Sequence, residues 1–284
     1  MAQILKGAPV AAALDVETEK RAAALREKGV VPTLAILRAG EREDEIAYER
    51  GAVKRCAKVG VEARCVTLPA DVPAEEFYRT LEDLNRDPQV HGILMLCPLP
   101  AHLDQEKARK MMAPAKDVDG CTDLALSGVF TGSALGFPPC TASSALEILR
   151  YYGVDPKGKR AVVIGRSLVI GRPVALMLLQ ANATVTICHT KTVDIPSITR
   201  QADILISASG AMESIGAEHL REGQTVIDVG ISWNEEKQKL CGDVRFEEAE
   251  PIVAGITPVP GGVGSVTTAV LAGHVVQAAE RTLA

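Results

Sequence analysis

Hydrophobic and polar positions along this chain alternate between two rhythms. Short runs, apolar almost without a break and rich in β-branched residues, predict strands at residues 31–38, 61–68 and 91–96. Further runs follow at 162–164, 183–188, 203–207, 225–229 and 252–256. Between them, apolar residues recur at helical spacing and predict helices at 11–28, 42–59, 74–86, 103–111, 173–180 and 217–221, with a last helix at 267–281. Strands without polar alternation, separated by helices, are the pattern of a parallel sheet covered on both faces. The expectation is an α/β protein, with two α/β domains around a cleft, the second a Rossmann-like doubly wound parallel sheet that takes ligands at the carboxyl ends of its strands.

Composition narrows the function without naming it. At 284 residues the chain is long enough for two domains with their own cores, and 47% hydrophobic but only 3% aromatic content makes those cores Val, Ile, Leu and Ala. A formal net charge of −5 with no basic run argues against nucleic acid or an anionic membrane surface as partner. Seven cysteines, with no C-x-x-C pair, suit a reducing compartment better than a disulfide framework or a zinc site. No His, Cys, Asp and Glu set has metal-ligand spacing, and no stretch approaches the roughly 18 apolar residues of a membrane span. A cytoplasmic location is expected.

The segment from Val162 through Gly165, Arg166, Ser167 and Gly171 to Pro173 takes an apolar strand into a glycine turn and then a helix. Such a turn lets backbone approach an anion, and the helix aims unpaired N–H groups at it. The spacing is not the usual G-x-G-x-x-G, so two glycines that merely close a strand-to-helix turn are the competing reading. Where NAD enzymes place an acidic residue after the next strand, this chain has Cys188-His-Thr-Lys-Thr192. Thr190 and Lys191, with Arg166, suit the 2′-phosphate of NADP and make NAD the less favoured cofactor, unless Lys191 is only a solvated loop lysine.

Gly165-Arg-Ser167, Cys188-His-Thr-Lys-Thr192, Asp228-Val-Gly-Ile231, Gly242-Asp-Val244 and the loop from Ile256 to Gly264 occur in this order. They are preceded by Tyr48, Pro98-Leu-Pro100, Lys116-Asp-Val-Asp-Gly120 and Pro139-Cys-Thr141. In this set the chain resembles the methylenetetrahydrofolate dehydrogenase/cyclohydrolase family over its whole length. The resemblance implies oxidation of 5,10-methylenetetrahydrofolate by a nicotinamide cofactor, then hydrolysis of the methenyl product to 10-formyltetrahydrofolate. It also implies tetrahydrofolate derivatives as partners, a homodimer and a place in one-carbon metabolism. Tyr48 and Asp119 would be the catalytic pair. Tyr48, Leu96, Asp119, Pro260, Gly261 and Gly262 would line the folate, and Gly165, Arg166, Ser167, Thr190, Lys191 and Ile231 the dinucleotide. An aspartate before Gly120 can also serve only its own turn, and Asp117 is the better candidate for that. The implied domains are 1–140 plus 265–284 for the folate and 141–264 for NADP.

Three positions depart from the family pattern. The family's helix has serine three residues before the tyrosine and lysine four after it, where this chain has Glu45 and Ala52. The family's glutamine two residues before Pro-Leu-Pro is Leu96 here. Counted from Tyr48, Lys54 lies about 120° around the helix and Lys58 about 15 Å along it. The expectation is a dehydrogenase whose cyclohydrolase activity is weak or absent, working beside a separate cyclohydrolase. The alternatives are a fully bifunctional enzyme and a non-catalytic sensor of folate or dinucleotide.

Overall fold

The computed structural model describes residues 1–283, which divide into two units, each built around its own parallel sheet. Along the chain β1 (Gln3–Ile4) and α1 (Gly7–Glu27) come first. They are followed by β2 (Thr33–Ala39), α2 (Glu43–Lys58), β3 (Glu62–Leu68), α3 (Ala74–Arg86), β4 (Gly92–Met95), α4 (Gln105–Met111), α5 (Asp123–Thr131) and α6 (Cys140–Tyr151). The second half contains β5 (Arg160–Ile164), α7 (Gly171–Gln180), β6 (Thr184–Cys188), α8 (Ile195–Thr199), β7 (Ile204–Ser207), β8 (Thr225–Asp228), β9 (Ser232–Asn234), β10 (Lys239–Cys241), α9 (Phe246–Ala249), β11 (Gly255–Ile256) and α10 (Gly264–Arg281). The helix expected at 217–221 is a single 3₁₀ turn, Ala217–His219, and the strand expected at 252–256 shortens to its last two residues.

The first unit comprises Ala12–Cys140 and the segment from Thr268 onward. Its sheet has the order β3-β2-β4, parallel throughout. The central strand β2 is buried at every position, as a strand covered on both faces must be, whereas the edge strand β3 alternates. On α3 the buried residues Phe77, Leu81 and Leu84 recur at three- and four-residue intervals, and with Leu37, Ile93 and Ala108 they build one core. The C-terminal helix closes against this unit at Gly92. A Cβ there would lie 2.7 Å from Val118 and 3.1 Å from Val275, so only glycine lets the helix approach. An Arg21–Glu280 ion pair at 2.6 Å joins the same helix to α1.

The second unit comprises Met1–Ala11 and Thr141–Thr267, and its six-stranded sheet has the order β1-β11-β8-β7-β5-β6, all parallel. The first eleven residues, expected with the folate domain, therefore belong here. Gln3 and Ile4 pair with Gly255 and Ile256, and a two-residue strand is too short to show as periodicity. Chain order reverses at β5, which has β6 on one side and β7 on the other, the switch point where doubly wound sheets bind ligands. Two aspartates lock the far side of the sheet to the β9–β10 hairpin. The Asp228 carboxylate accepts N–H bonds from Gly230, Asp243 and Val244, and Asp243 Oδ2 accepts from Ser207 Oγ and the Ser209 and Gly210 amides. A side chain at Gly242 would strike Asp228 and one at Gly230 would strike Asp243, which accounts for the Asp-Val-Gly and Gly-Asp-Val motifs structurally.

Candidate functional site

In the second unit the turn after β5 is shaped by two glycines that cannot be replaced without collision. Gly165 has φ +123°, and a Cβ there would sit 2.2 Å from the Ala208 carbonyl oxygen at the end of β7. At Gly171 a Cβ would sit 2.3 Å from the Gly165 oxygen. The chain thus folds back on itself at the switch point, and α7 starts with its amide groups at the carboxyl end of the sheet. The Ser167 hydroxyl turns inward and accepts from the Ile170 and Gly171 amides at 3.1 and 3.4 Å, so its first role is to hold the turn. Arg166 is exposed and has no hydrogen-bond or ion-pair partner among the described residues.

The loop after β6 carries two more exposed groups. His189 and Thr192 close it, with the Thr192 hydroxyl accepting from the His189 amide at 2.9 Å and His189 Nδ1 accepting from the Lys191 amide at 3.1 Å. Both side chains that could meet a phosphate, Thr190 and Lys191, are left facing solvent. Ile231, just after β8, is 62% exposed. In the same unit Gly7 donates its N–H to the Gly261 oxygen at 2.8 Å. Pro260 and Gly261 are exposed and Gly262 is buried.

The first unit gathers a cluster of ionisable groups. Tyr48, one turn and a half into α2, is half-buried, and its phenol is held well above its ordinary value by burial, then by the charge of Asp119, then by Cys140. Burial pushes the Asp119 carboxyl up to about 6, nearby Asp117 adds to this, and the Cys140 thiol draws it back. The two aspartates divide the work of their turn. Asp117 is fully buried and accepts the Gly120, Cys121 and Thr122 amides at 2.8–3.0 Å, while the Asp119 carboxylate takes no part in that turn and meets the Cys140 thiol. Behind them Cys140 Sγ reaches the Val118 oxygen at 3.2 Å. His274 donates from Nδ1 to that same oxygen at 2.8 Å, and burial lowers its pKa to about 4, so it is neutral. Cys97 completes the cluster. Burial raises its thiol to about 11, Arg109 lowers it, and Asp119 and Glu45 raise it.

The inward face of α2 is what sets this cluster apart. Glu45, Ala52 and Cys56 are buried and Tyr48 lies on the same stripe, at spacings of three, four and four residues. Ala52 is 1% exposed and Leu96 6% exposed, so neither position offers a polar group. Lys54 points to solvent, and Lys58 is held by Asp15 at 2.8 Å together with Arg55. Two members of the cluster were not foreseen as site residues. One is Glu45, 5% exposed with Oε2 unpartnered; the other is Arg109, whose Nε is buried without a partner. In sequence both sit in charged stretches that read as solvated helix faces.

Comparison with known proteins gives this geometry its context. Residues 5–119 match the catalytic domain of tetrahydrofolate dehydrogenase/cyclohydrolase, and residues 139–283 match the NAD(P)-binding domain of the same family. The chain belongs to the tetrahydrofolate dehydrogenase/cyclohydrolase family. The protein named bifunctional protein FolD from Carboxydothermus hydrogenoformans is 47% identical over 281 residues, which cover 99% of this chain and 98% of that one. Among solved structures, the bifunctional FolD of Campylobacter jejuni superposes with a TM-score of 0.96 at 36% identity, covering 99% of this chain and all of the other. The Trypanosoma brucei enzyme, solved with NADP cofactor and an inhibitor, gives 0.93 at 36% identity, covering 99% and 98%.

The candidate residues fall in two groups, one in each unit. At the Gly165 turn Arg166, Thr190 and Lys191 are exposed, and α7 begins with its amide groups at the same end of the sheet. Tyr48 and Asp119 come together in the other unit, where the Asp119 carboxylate also meets the Cys140 thiol. Among the described residues no three His, Cys, Asp or Glu side chains are grouped to hold a metal ion, and no helix is long and apolar enough to cross a membrane.

Proposed function

We propose that this chain is an NADP-dependent 5,10-methylenetetrahydrofolate dehydrogenase with little or no cyclohydrolase activity, acting beside a separate cyclohydrolase. NADP, when bound, accepts hydride from the methylene carbon of the folate. The residues of this chain hold the partners of that transfer. Asp119 accepts hydrogen bonds from the pterin, Tyr48 lies against the folate, and Arg166 and Lys191 grip the 2′-phosphate while the Gly165 turn takes the pyrophosphate. Hydride loss needs alignment and exclusion of water more than proton transfer, because the two nitrogens flanking the carbon stabilise the resulting cation.

The observation that carries this reading is the face of α2. The position four residues past Tyr48 is a buried alanine, Leu96 replaces an amide, and neither nearby lysine faces the cluster. Hydrolysis of the methenyl cation requires an activated water and proton transfers as the ring opens, work that positioned acid–base groups accelerate roughly 10²- to 10⁴-fold. A second reading is favoured by the relatives' printed name, bifunctional, and by the buried Glu45 carboxylate: here the chain would hydrolyse the cation with a different base. Following NADPH formation and methenyl absorbance together separates the two. Accumulating methenyl compound that decays at its spontaneous rate supports the monofunctional reading, and enzyme-dependent decay supports the bifunctional one. No NADPH at all would leave a binding protein.

A further inference from the structure

Glu45 is a buried carboxylate with no structural duty. It is 5% exposed, its Oε2 has no hydrogen-bond partner among the described residues, and the nearest cation to Oε1, Arg42 Nε, stands 3.9 Å away. The charged groups around it are already engaged. Arg42 makes two bonds to Asp44, Arg38 bonds Glu49 and the Gly40 carbonyl, and Arg109 reaches Glu106. A buried carboxylate whose one ion-pair contact is long is costly to keep and persists where a ligand compensates it.

Its place on the helix says what kind of ligand. Glu45 is three residues before Tyr48 and seven before Ala52, on the stripe that faces the cluster, and its charge is felt at the Cys97 thiol together with that of Asp119. Relative to the family pattern, a lysine has become neutral and a serine has become a carboxylate, so this face has moved two charge units toward negative.

Such a face suits a cation. When the methylene C–H bond breaks, its electron pair leaves with the hydrogen and the bridging carbon keeps a positive charge shared by two nitrogens, while no proton passes to the protein. We propose that Glu45 is the counter-charge to this methenyl cation, stabilising positive charge as it develops on the substrate. This inference rests on the dehydrogenase reading above. Burial holds the Glu45 carboxyl above its ordinary value, Arg42 lowers it, Asp44 raises it and Arg38 lowers it, and a cation beside it would favour its ionised form.

The test compares wild type with Glu45→Gln, which keeps size and removes charge, and Glu45→Asp, which restores charge. Three quantities are measured: kcat and KM for methylenetetrahydrofolate, and the ratio of dissociation constants for methenyltetrahydrofolate and tetrahydrofolate, which lacks the cationic bridge. The expected result for Glu45→Gln, at an unchanged melting temperature, is a loss of roughly 10- to 100-fold in kcat with KM nearly constant. Preference for the cation falls in parallel and Glu45→Asp partly recovers both. An unchanged cation preference in Glu45→Gln overturns the proposal whatever happens to kcat, since a structural role would affect both ligands alike. A wild type that prefers the cation through Glu45 but forms no NADPH would sink the dehydrogenase reading and leave the counter-charge standing.

Discussion

Replacing Asp119 by asparagine should make the protein more stable at neutral pH while impairing its use of folate. Burial, reinforced by the charge of Asp117, raises this carboxyl from an ordinary 3.8 to about 6 in the folded protein. A raised folded-state pKa contributes stability that is fully present below 3.8 and lost as pH climbs through about 6, so at neutral pH the ionised side chain opposes folding. Two pKa units correspond to about 3 kcal/mol. Solvent reaching the half-buried side chain reduces this to roughly 1–2 kcal/mol. Asparagine cannot ionise and its amide oxygen can still face the Cys140 thiol. The variant should therefore melt roughly 3–6 °C above wild type near pH 7.5 and close to wild type near pH 4. Thermal melting followed by circular dichroism across that range reads the difference directly, and steady-state kinetics should show KM for the folate raised at least about tenfold through loss of a charged acceptor. A variant that melts below wild type at neutral pH, or a difference that does not change with pH, would refute the assignment of Asp119 as a ligand-facing, strained carboxylate.

Two further substitutions probe the separate halves of the account. Ala52→Lys combined with Leu96→Gln should raise enzyme-dependent decay of the methenyl compound by at least roughly tenfold, part of the 10²- to 10⁴-fold available to acid–base groups; no gain in a folded, dehydrogenase-competent variant would show that this face does not limit hydrolysis. Arg166→Ala and Lys191→Ala should each raise KM for NADP roughly tenfold by removing a charge-assisted hydrogen bond, while leaving KM for NAD unchanged; equal effects on both cofactors would place the 2′-phosphate elsewhere.

The longer strands were legible from their apolar, β-branched runs: 61–68 and 203–207 each contain the strand that formed, and 31–38 covers all of β2 but its last residue. What escaped notice was short or compositionally bland. β1 has two residues, β9 and β10 have three each, and α6 opens on the small residues Thr141, Ala142, Ser143 and Ser144, whose periodicity is faint. The Gly165 turn was readable from its apolar strand, its glycines and the helix after them, whereas Tyr48 and Asp119 entered only through the resemblance, with Asp117 the better candidate to serve the turn itself. Glu45 stood out only as a departure at the family's serine position, with no role attached, and Arg109 did not stand out at all. The stretch Glu41-Arg-Glu-Asp-Glu45 reads as a solvated helix start, and only the packing of α2 against its sheet turns the last of those five side chains inward.

The central claim is that this protein oxidises methylenetetrahydrofolate and then releases the cation unhydrolysed. Purified enzyme, methylenetetrahydrofolate and NADP, followed at once by NADPH and methenyl absorbance, test it most directly. The account predicts one methenyl cation for each NADPH, with decay no faster than in protein-free buffer. Decay that rises in proportion to enzyme concentration would contradict it.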